Sequence, residues 1–192
     1  MTVETHNYWQ GKLVRLRAIE QEDIDNLASP VTDSWLDRAD DRIYFPSSLE
    51  KARDSLNAQR ERKNDSFFWI IETVEGKEVG NIATFDCDSR VGVFKYSIVI
   101  KRSFWRQGYA SEAIKMVMRY YFRELRYQKC TVLVYSFNQA SIDLHNKLGF
   151  IKEGQLRRMV FTNGEFYDEL YFGITAEEFD EIDPKPTLLS PN

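Results

Sequence analysis

The sequence predicts an α+β fold: one mixed, mostly antiparallel β-sheet flanked by helices. Three observations predict this class. Seven segments have the alternating or β-branched pattern of strands, against four with helical periodicity. Three of the strands follow one another across short turns, which is typical of antiparallel neighbours. A helix then separates two strands, and such a crossover places a parallel pair within the same sheet.

The N-terminal third is predicted to hold one strand and two helices. Apolar and basic residues alternate over residues 12–19, the period of a half-exposed strand. Residues 20–30 follow as a short acidic helix. The aspartate-rich residues 32–46 have no clear period and are predicted to form a loop with room for a single helical turn. Residues 47–62 then form a helix that opens with a capping box at Ser47.

The rest of the chain alternates between strands and two helices. The predicted strands are residues 66–74, 76–88, 91–100, 129–137, 150–162 and 165–175. The last two flank an Asn-Gly pair, the usual signal of a two-residue hairpin turn. Apolar residues recur at helical spacing over residues 109–125. A second helix lies within residues 138–150, with Asn138 as its N-cap and Gly149 at its C-terminal cap.

Composition excludes several classes of protein. The net charge of −4 is opposite to the basic excess of nucleic-acid binders. No apolar run approaches the ~18 residues that a membrane span needs, and the first residues lack the pattern of a signal peptide. Cys87 and Cys130 form no CxxC pair and the chain has two histidines, so no metal site is expected. A cytoplasmic protein is predicted, with one domain over residues 1–182 and a flexible, proline-containing tail over 183–192.

The stretch FWRQGYASEA, residues 104–113, joins a strand to a helix through a glycine. The first turn of a helix has unpaired N–H groups and a partial positive charge, so it can hold a phosphate. Gly108 would let the ligand approach the backbone, and Arg106 could add a charged contact. A glycine at such a junction is equally compatible with an ordinary turn. The sequence has neither GxxxxGK[ST] nor GxGxxG, which excludes a P-loop NTPase and gives no support to a dinucleotide-binding fold.

Two longer stretches, IVIKRSFWRQGYASEA and NQASIDLHNKLGFIKEG, resemble the acetyl-CoA signature of the GNAT N-acetyltransferase superfamily. LGFIKEGQLRR and NGEFYDELYF are similar to the C-terminal hairpin of its branch containing ribosomal-protein N-terminal acetyltransferases and spermidine acetyltransferases. The resemblance extends over residues 12–175. It implies a GNAT-like sheet whose central strands splay apart at a cofactor cleft, with acetyl-CoA as co-substrate and no metal.

The resemblance also implies which residues hold acetyl-CoA. The pyrophosphate would lie on the loop and the first helical turn, and the pantetheine amides would pair with the preceding strand. Asn138 would lie near the pantetheine or the thioester, and Ser141, one turn into the same helix, would be a cofactor contact or a spectator. The implied positions are Ile98, Val99, Ile100, Arg106, Gln107, Gly108, Tyr109, Ala110, Ser111, Asn138 and Ser141.

The catalytic groups depart from the family pattern. His145 stands where the family commonly has a tyrosine that donates a proton to the leaving thiolate. Histidine could act there as acid or base, or could be a structural residue of the helix. A glutamate frequent on the family's fourth strand aligns with Lys95, so Asp86 and Asp88 on the neighbouring strand are the alternatives for relaying the amine's proton through water.

The predicted function is transfer of an acetyl group from acetyl-CoA to a primary amine, by direct attack in a ternary complex. A polyamine, another small-molecule amine and a peptide N-terminus all fit as acceptor. The alternative is a non-catalytic acetyl-CoA sensor or interaction module on the same fold. The edge of the C-terminal hairpin offers a surface for a homodimer. Neither nucleic acid nor membrane is expected as a partner.

Overall fold

A computed structural model describes residues 7–28, 33–40, 43–60 and 64–185. Within them the strands form one seven-stranded sheet in the order β1-β2-β3-β4-β5-β7-β6. Only β4 and β5 are parallel neighbours; the other pairs are antiparallel. This confirms the predicted fold class. The strands are β1 Val14–Ala18, β2 Phe68–Thr73, β3 Glu78–Asp88, β4 Val93–Ile100, β5 Lys129–Tyr135, β6 Ile151–Thr162 and β7 Glu165–Thr175.

The described part of the chain contains six α-helices and a short 3-10 turn at Arg102–Phe104. The helices are α1 Gln21–Leu27, α2 Ser34–Asp40, α3 Leu49–Arg60, α4 Tyr109–Arg123, α5 Gln139–Lys147 and α6 Ala176–Ile182. None of them is both long and apolar enough to cross a membrane.

Three of the helices differ from the sequence prediction. The segment containing α2 is predicted as a loop with at most a helical turn, but it forms a seven-residue helix, which starts where the Asp33 carboxylate accepts the N–H of Trp35 at 2.9 Å. Helix α6 begins after β7 with a capping box, in which the Thr175 and Glu178 side chains each accept the other's N–H. Helix α3 is predicted over residues 47–62 with Ser47 as its cap, but it begins at Leu49, because Ser48 caps it by accepting the N–H of Lys51.

The start of the predicted tail is tied to the domain. Asp183 accepts from Arg119 at 2.6 and 2.8 Å and forms an ion pair with Arg123. Both arginines belong to α4, so this end of the chain packs back on the central helix. The rest of the predicted tail, residues 186–192, lies outside the described residues, and the domain limits stay a prediction.

The two central strands separate after a short parallel pairing. Strand β4 pairs with β5 only from Val93↔Lys129 to Lys95↔Thr131. Beyond this point β4 continues to pair with β3 as far as Ile100, and β5 with β7 as far as Tyr135. The sheet therefore divides into two halves, with one edge of β4 facing the gap.

Helix α4 bridges the point where the halves join. It buries one face, including Ile114, Val117, Met118 and Tyr121, against the sheet. The Tyr121 ring stacks on Phe94 of β4 at 4.2 Å between centroids. This packing fixes the N-terminus of α4 at the mouth of the gap.

Strand β6 is the last strand of the sheet and, among the described residues, pairs only with β7. It joins β7 through Asn163 and Gly164, both with left-handed φ, which confirms the predicted two-residue hairpin. Large apolar side chains on the hairpin are exposed, namely Ile151, Leu156, Met159, Phe161 and Phe166. A homodimer through this edge stays a prediction.

Candidate active site

A cleft of about 570 Å³ lies where β4 and β5 separate. Its walls come from five parts of the chain: the end of β4, the loop and first turn of α4, Leu133 of β5, the face of α5, and α2. All eleven residues that the sequence predicts to hold the cofactor line this cleft. The structure thus brings together positions that are up to 43 residues apart in sequence (98 to 141).

The loop before α4 has the geometry of an anion site. Arg106 and Gly108 both have left-handed backbone conformations, with φ of 60° and 87°. The first helical hydrogen bond runs from the Glu112 N–H to the Gly108 carbonyl. The N–H groups of residues 109–111 therefore have no partner within the helix, and these three residues line the cleft together with Arg106.

Trp105 anchors this loop to β4. Its Nε1–H donates to the Ile100 carbonyl at 2.7 Å. Gln107 adds a weaker bond, from Nε2 to the Ser103 carbonyl at 3.3 Å. The loop is thereby held in place by contacts within residues 100–107.

Asn138 and Ser141 meet at the start of α5. The Asn138 side chain accepts the Ser141 N–H at 3.1 Å, which confirms Asn138 as the N-cap. Gly149 follows the end of the helix in a left-handed conformation, one residue after the C-cap Leu148. Both ends of α5 are therefore fixed by local sequence, and its inner face lines the cleft.

His145 lies on that inner face and is almost fully buried, with 3% of its surface exposed. Its Nδ1 is 2.7 Å from the Ser141 carbonyl, and its Nε2 is 2.9 Å from the Tyr96 hydroxyl. Because a carbonyl only accepts, Nδ1 carries the proton and Nε2 accepts from Tyr96. Burial lowers the pKa of His145 from 6.5 to about 4, against a smaller opposing effect of the Ser141 carbonyl. The imidazole is therefore neutral at pH 7.

Tyr96 is the partner that sequence reasoning missed. It is 5% exposed on β4, and burial raises the pKa of its phenol well above 10. In sequence it is one of several apolar or aromatic residues on a strand, and nothing in that pattern indicates contact with α5. Helix α2 was missed as well, although Trp35, Leu36, Ala39 and Asp40 line the cleft.

The structure does not bring Asp86 and Asp88 into the cleft. Asp86 forms an exposed ion pair with Lys95 at 3.1 Å. Asp88 accepts the N–H of Arg90 at 2.9 Å and closes the turn between β3 and β4. Because β3 and β4 are antiparallel, Asp86 and Asp88 at the end of β3 lie beside the start of β4. At this point β4 is still paired with β5, so the gap has not yet opened. The carboxylates among the described lining residues are Asp40 and Asp143.

Metal ligands do not gather anywhere in the described ranges. No group of three or more His, Cys, Asp or Glu side chains there could hold a metal ion.

Comparison with known proteins shows the family of this chain. The acetyltransferase (GNAT) domain family matches residues 14–151. The SPbeta prophage-derived uncharacterized N-acetyltransferase YokL of Bacillus subtilis is 44% identical over 90% of this chain and 96% of its own. The spermidine N(1)-acetyltransferase of Escherichia coli K12 is 27% identical over 93% and 95%. The crystal structure of a Vibrio cholerae spermidine N-acetyltransferase in complex with CoA and spermine has a TM-score of 0.76 at 20% identity, covering 86% of this chain and 97% of that one.

The family match covers most of the chain, and the relatives match over almost their full lengths. The fold, the divided sheet and the glycine loop before α4 agree with the resemblance found in the sequence. This chain belongs to the GNAT acetyltransferase family and is an N-acetyltransferase.

Proposed function

We propose that this enzyme transfers the acetyl group of acetyl-CoA to a primary amine on a small cationic molecule. The observation that carries the proposal is the gap between β4 and β5, which ends on the left-handed Gly108 and the free N–H groups of α4. An extended acyl-pantetheine fits beside a strand edge, and a pyrophosphate fits a helix N-terminus.

The residues present fit acetyl-CoA as co-substrate. Gln107 to Ser111 would hold the pyrophosphate through backbone N–H groups, with the guanidinium of Arg106 beside it. The free edge of β4 at Ile98 and Val99 would pair with the pantetheine. A β4 N–H near Val99 would stabilise the oxyanion of the thioester carbonyl as the amine attacks.

The proton balance needs no dedicated acid. An alkylammonium has a pKa near ~10.4, so it must first lose a proton, and water in the open cleft can accept it. The N–C bond then forms, the C–S bond breaks, and the second proton that the nitrogen sheds passes to the thiolate. Proximity of the two substrates supplies most of the acceleration in this scheme.

In this scheme His145 transfers no proton and instead holds α5 against β4. At a pKa of about 4 its imidazolium is scarcely populated at pH 7, and its acceptor nitrogen is occupied by Tyr96. The pair locks α5 to β4 on the wall of the cleft. The neutral ring is thus expected to shape the thioester site without changing charge.

Two observations favour a small cationic acceptor over a peptide N-terminus. Asp40 of α2 and Asp143 of α5 put carboxylates on the cleft lining. A relative aligned over 93% of the chain is a spermidine N(1)-acetyltransferase. Opposite charge raises the local concentration of a cationic substrate at such a mouth.

Release of the CoA thiol over a panel of amines tests this function. The panel holds spermidine, an aminoglycoside, a free amino acid and a short peptide with a free N-terminus. We expect the highest kcat/KM with a polyvalent cationic amine, and a decrease at high salt. Tight binding of acetyl-CoA without release of the CoA thiol in the presence of any amine would instead indicate a non-catalytic acetyl-CoA sensor.

A Gly108→Val substitution should raise the KM for acetyl-CoA at least about tenfold, since a φ of +87° strains any side chain and tilts the N–H groups. A Cβ at this position also meets Leu13 at 3.1 Å, so about 1–2 kcal/mol of stability should be lost as well. Gly76→Val is the matched control, because Gly76 has the same φ and a Cβ added there would meet nothing within 4 Å. If both variants shift stability alike and neither changes the KM, the loop does not hold the cofactor.

A further inference from the structure

A cluster of four side chains joins α2 to the loop before α4, residues 105–108, which is called the phosphate loop below because the proposed function places the pyrophosphate there. Arg102, just after β4, forms ion pairs with Asp33 at 2.8 Å and donates a second bond at 3.3 Å. Its guanidinium lies over the rings of Trp35 and Trp105, with 5.7 and 5.6 Å to the ring centroids. The two tryptophans meet edge to face at 5.1 Å.

This cluster connects two walls of the cleft. Trp35 belongs to α2, and Trp105 belongs to the loop whose next residues are placed at the pyrophosphate. Both tryptophans line the cleft, whereas Arg102 does not. Arg102 therefore contacts both walls without being placed at either substrate.

The two walls differ in how much they depend on Arg102. The loop has its own anchor, since Trp105 donates to the Ile100 carbonyl at 2.7 Å. Helix α2 has seven residues and buries none of them fully. Asp33 also caps α2 through the Trp35 N–H, so the residue that starts the helix is the one that Arg102 binds. Loss of Arg102 should therefore displace α2 and leave the loop in place.

We propose that Arg102 is a positioning residue for the acceptor, which holds the α2 wall of the cleft in register with the phosphate loop. The inference rests on the proposed function, in which α2 and its Asp40 border the amine. Cation–π contacts, an aromatic pair and an exposed ion pair each change an equilibrium by about two- to tenfold. Together they suffice to determine the position of one short helix.

The first test separates the two Michaelis constants. In Arg102→Ala the KM for the amine should rise at least about fivefold, while the KM for acetyl-CoA and kcat stay within about twofold. Lys101→Ala is the matched control, because the Lys101 side chain makes a similar exposed ion pair with Glu78 of β3 and does not line the cleft. Arg102→Lys should recover only part of the effect, since it keeps the charge but not the planar face.

The second test needs no turnover. Hydrogen–deuterium exchange of the free protein should rise in residues 33–40 of Arg102→Ala and remain unchanged in residues 109–123. Equal rises of both Michaelis constants, or unchanged exchange in residues 33–40, would overturn the proposal. If the parent acetylates no amine while Arg102→Ala still shows this exchange pattern, the proposed function is refuted and the positioning role of Arg102 for α2 remains supported.

Discussion

His145→Gln should lose the acid sensitivity that His145 gives to the fold. In the folded protein the pKa of this imidazole is about 4, against 6.5 when it is exposed. Between these two pH values His145 is protonated in the unfolded chain but neutral in the folded chain. The free energy of unfolding therefore falls as the pH drops from about 6.5 to about 4. The shift corresponds to about 3 kcal/mol at most for this group.

Urea unfolding of parent and variant at pH 7 and at pH 4.5 measures this difference. At pH 7 the parent should be the more stable, because glutamine replaces a buried ring that packs on Phe150 and Phe172. At pH 4.5 that advantage should shrink by about 2–3 kcal/mol. The other acid-sensitive groups are shared by both proteins and cancel. An advantage that is the same at both pH values would mean that His145 is not buried in the neutral form.

The same variant distinguishes position from acid–base catalysis. Glutamine can still accept from the Tyr96 hydroxyl, so we expect kcat at pH 7 to stay within about tenfold of the parent. Loss of a general acid or base would cost ~10²–10⁴-fold. His145→Tyr restores the family's usual residue at this position and serves as the comparison. A drop of a thousandfold in His145→Gln, with activity kept in His145→Tyr, would reinstate proton donation by this position.

Glu112→Gln should destabilise the domain by about 2–4 kcal/mol. The Glu112 carboxylate in the first turn of α4 accepts three consecutive backbone N–H groups, from Lys12, Leu13 and Val14, at 2.8–2.9 Å. An amide offers one oxygen and turns an NH₂ group towards donors. At least one N–H at the start of β1 is then left without a partner.

Thermal unfolding should show a decrease of about 5–15 °C for this size of chain. Glu124→Gln is the matched control, since Glu124 ends the same helix, is exposed and carries the same charge. The KM for acetyl-CoA should also rise in Glu112→Gln, because Leu13 adjoins Gly108. A melting temperature within 2 °C of the Glu124→Gln control would show that the carboxylate does not hold β1.

Local sequence determined most of the elements, including the glycine loop before α4 and helix α5, which form two walls of the cleft. Strand alternation, the Asn-Gly turn, the Asn138 cap and the glycine before α4 act between residues close in the chain. Such signals can be interpreted from a single sequence. The glycine loop and α5 could also be matched to a family, because each is one continuous stretch.

Only the tertiary structure decided which side chains meet at the cleft. Tyr96 and His145 are 49 residues apart, and Arg102 and Asp33 are 69 apart, so no local pattern joins them. Asp86 and Asp88 were assigned to the site because they neighbour β4, but the antiparallel register places them at its closed end. The protonation state of His145 follows from burial, which depends on how α5 packs on β4 and β7. Pairing across the sheet and desolvation are properties of the folded chain, and they decide which titratable groups can take part in catalysis.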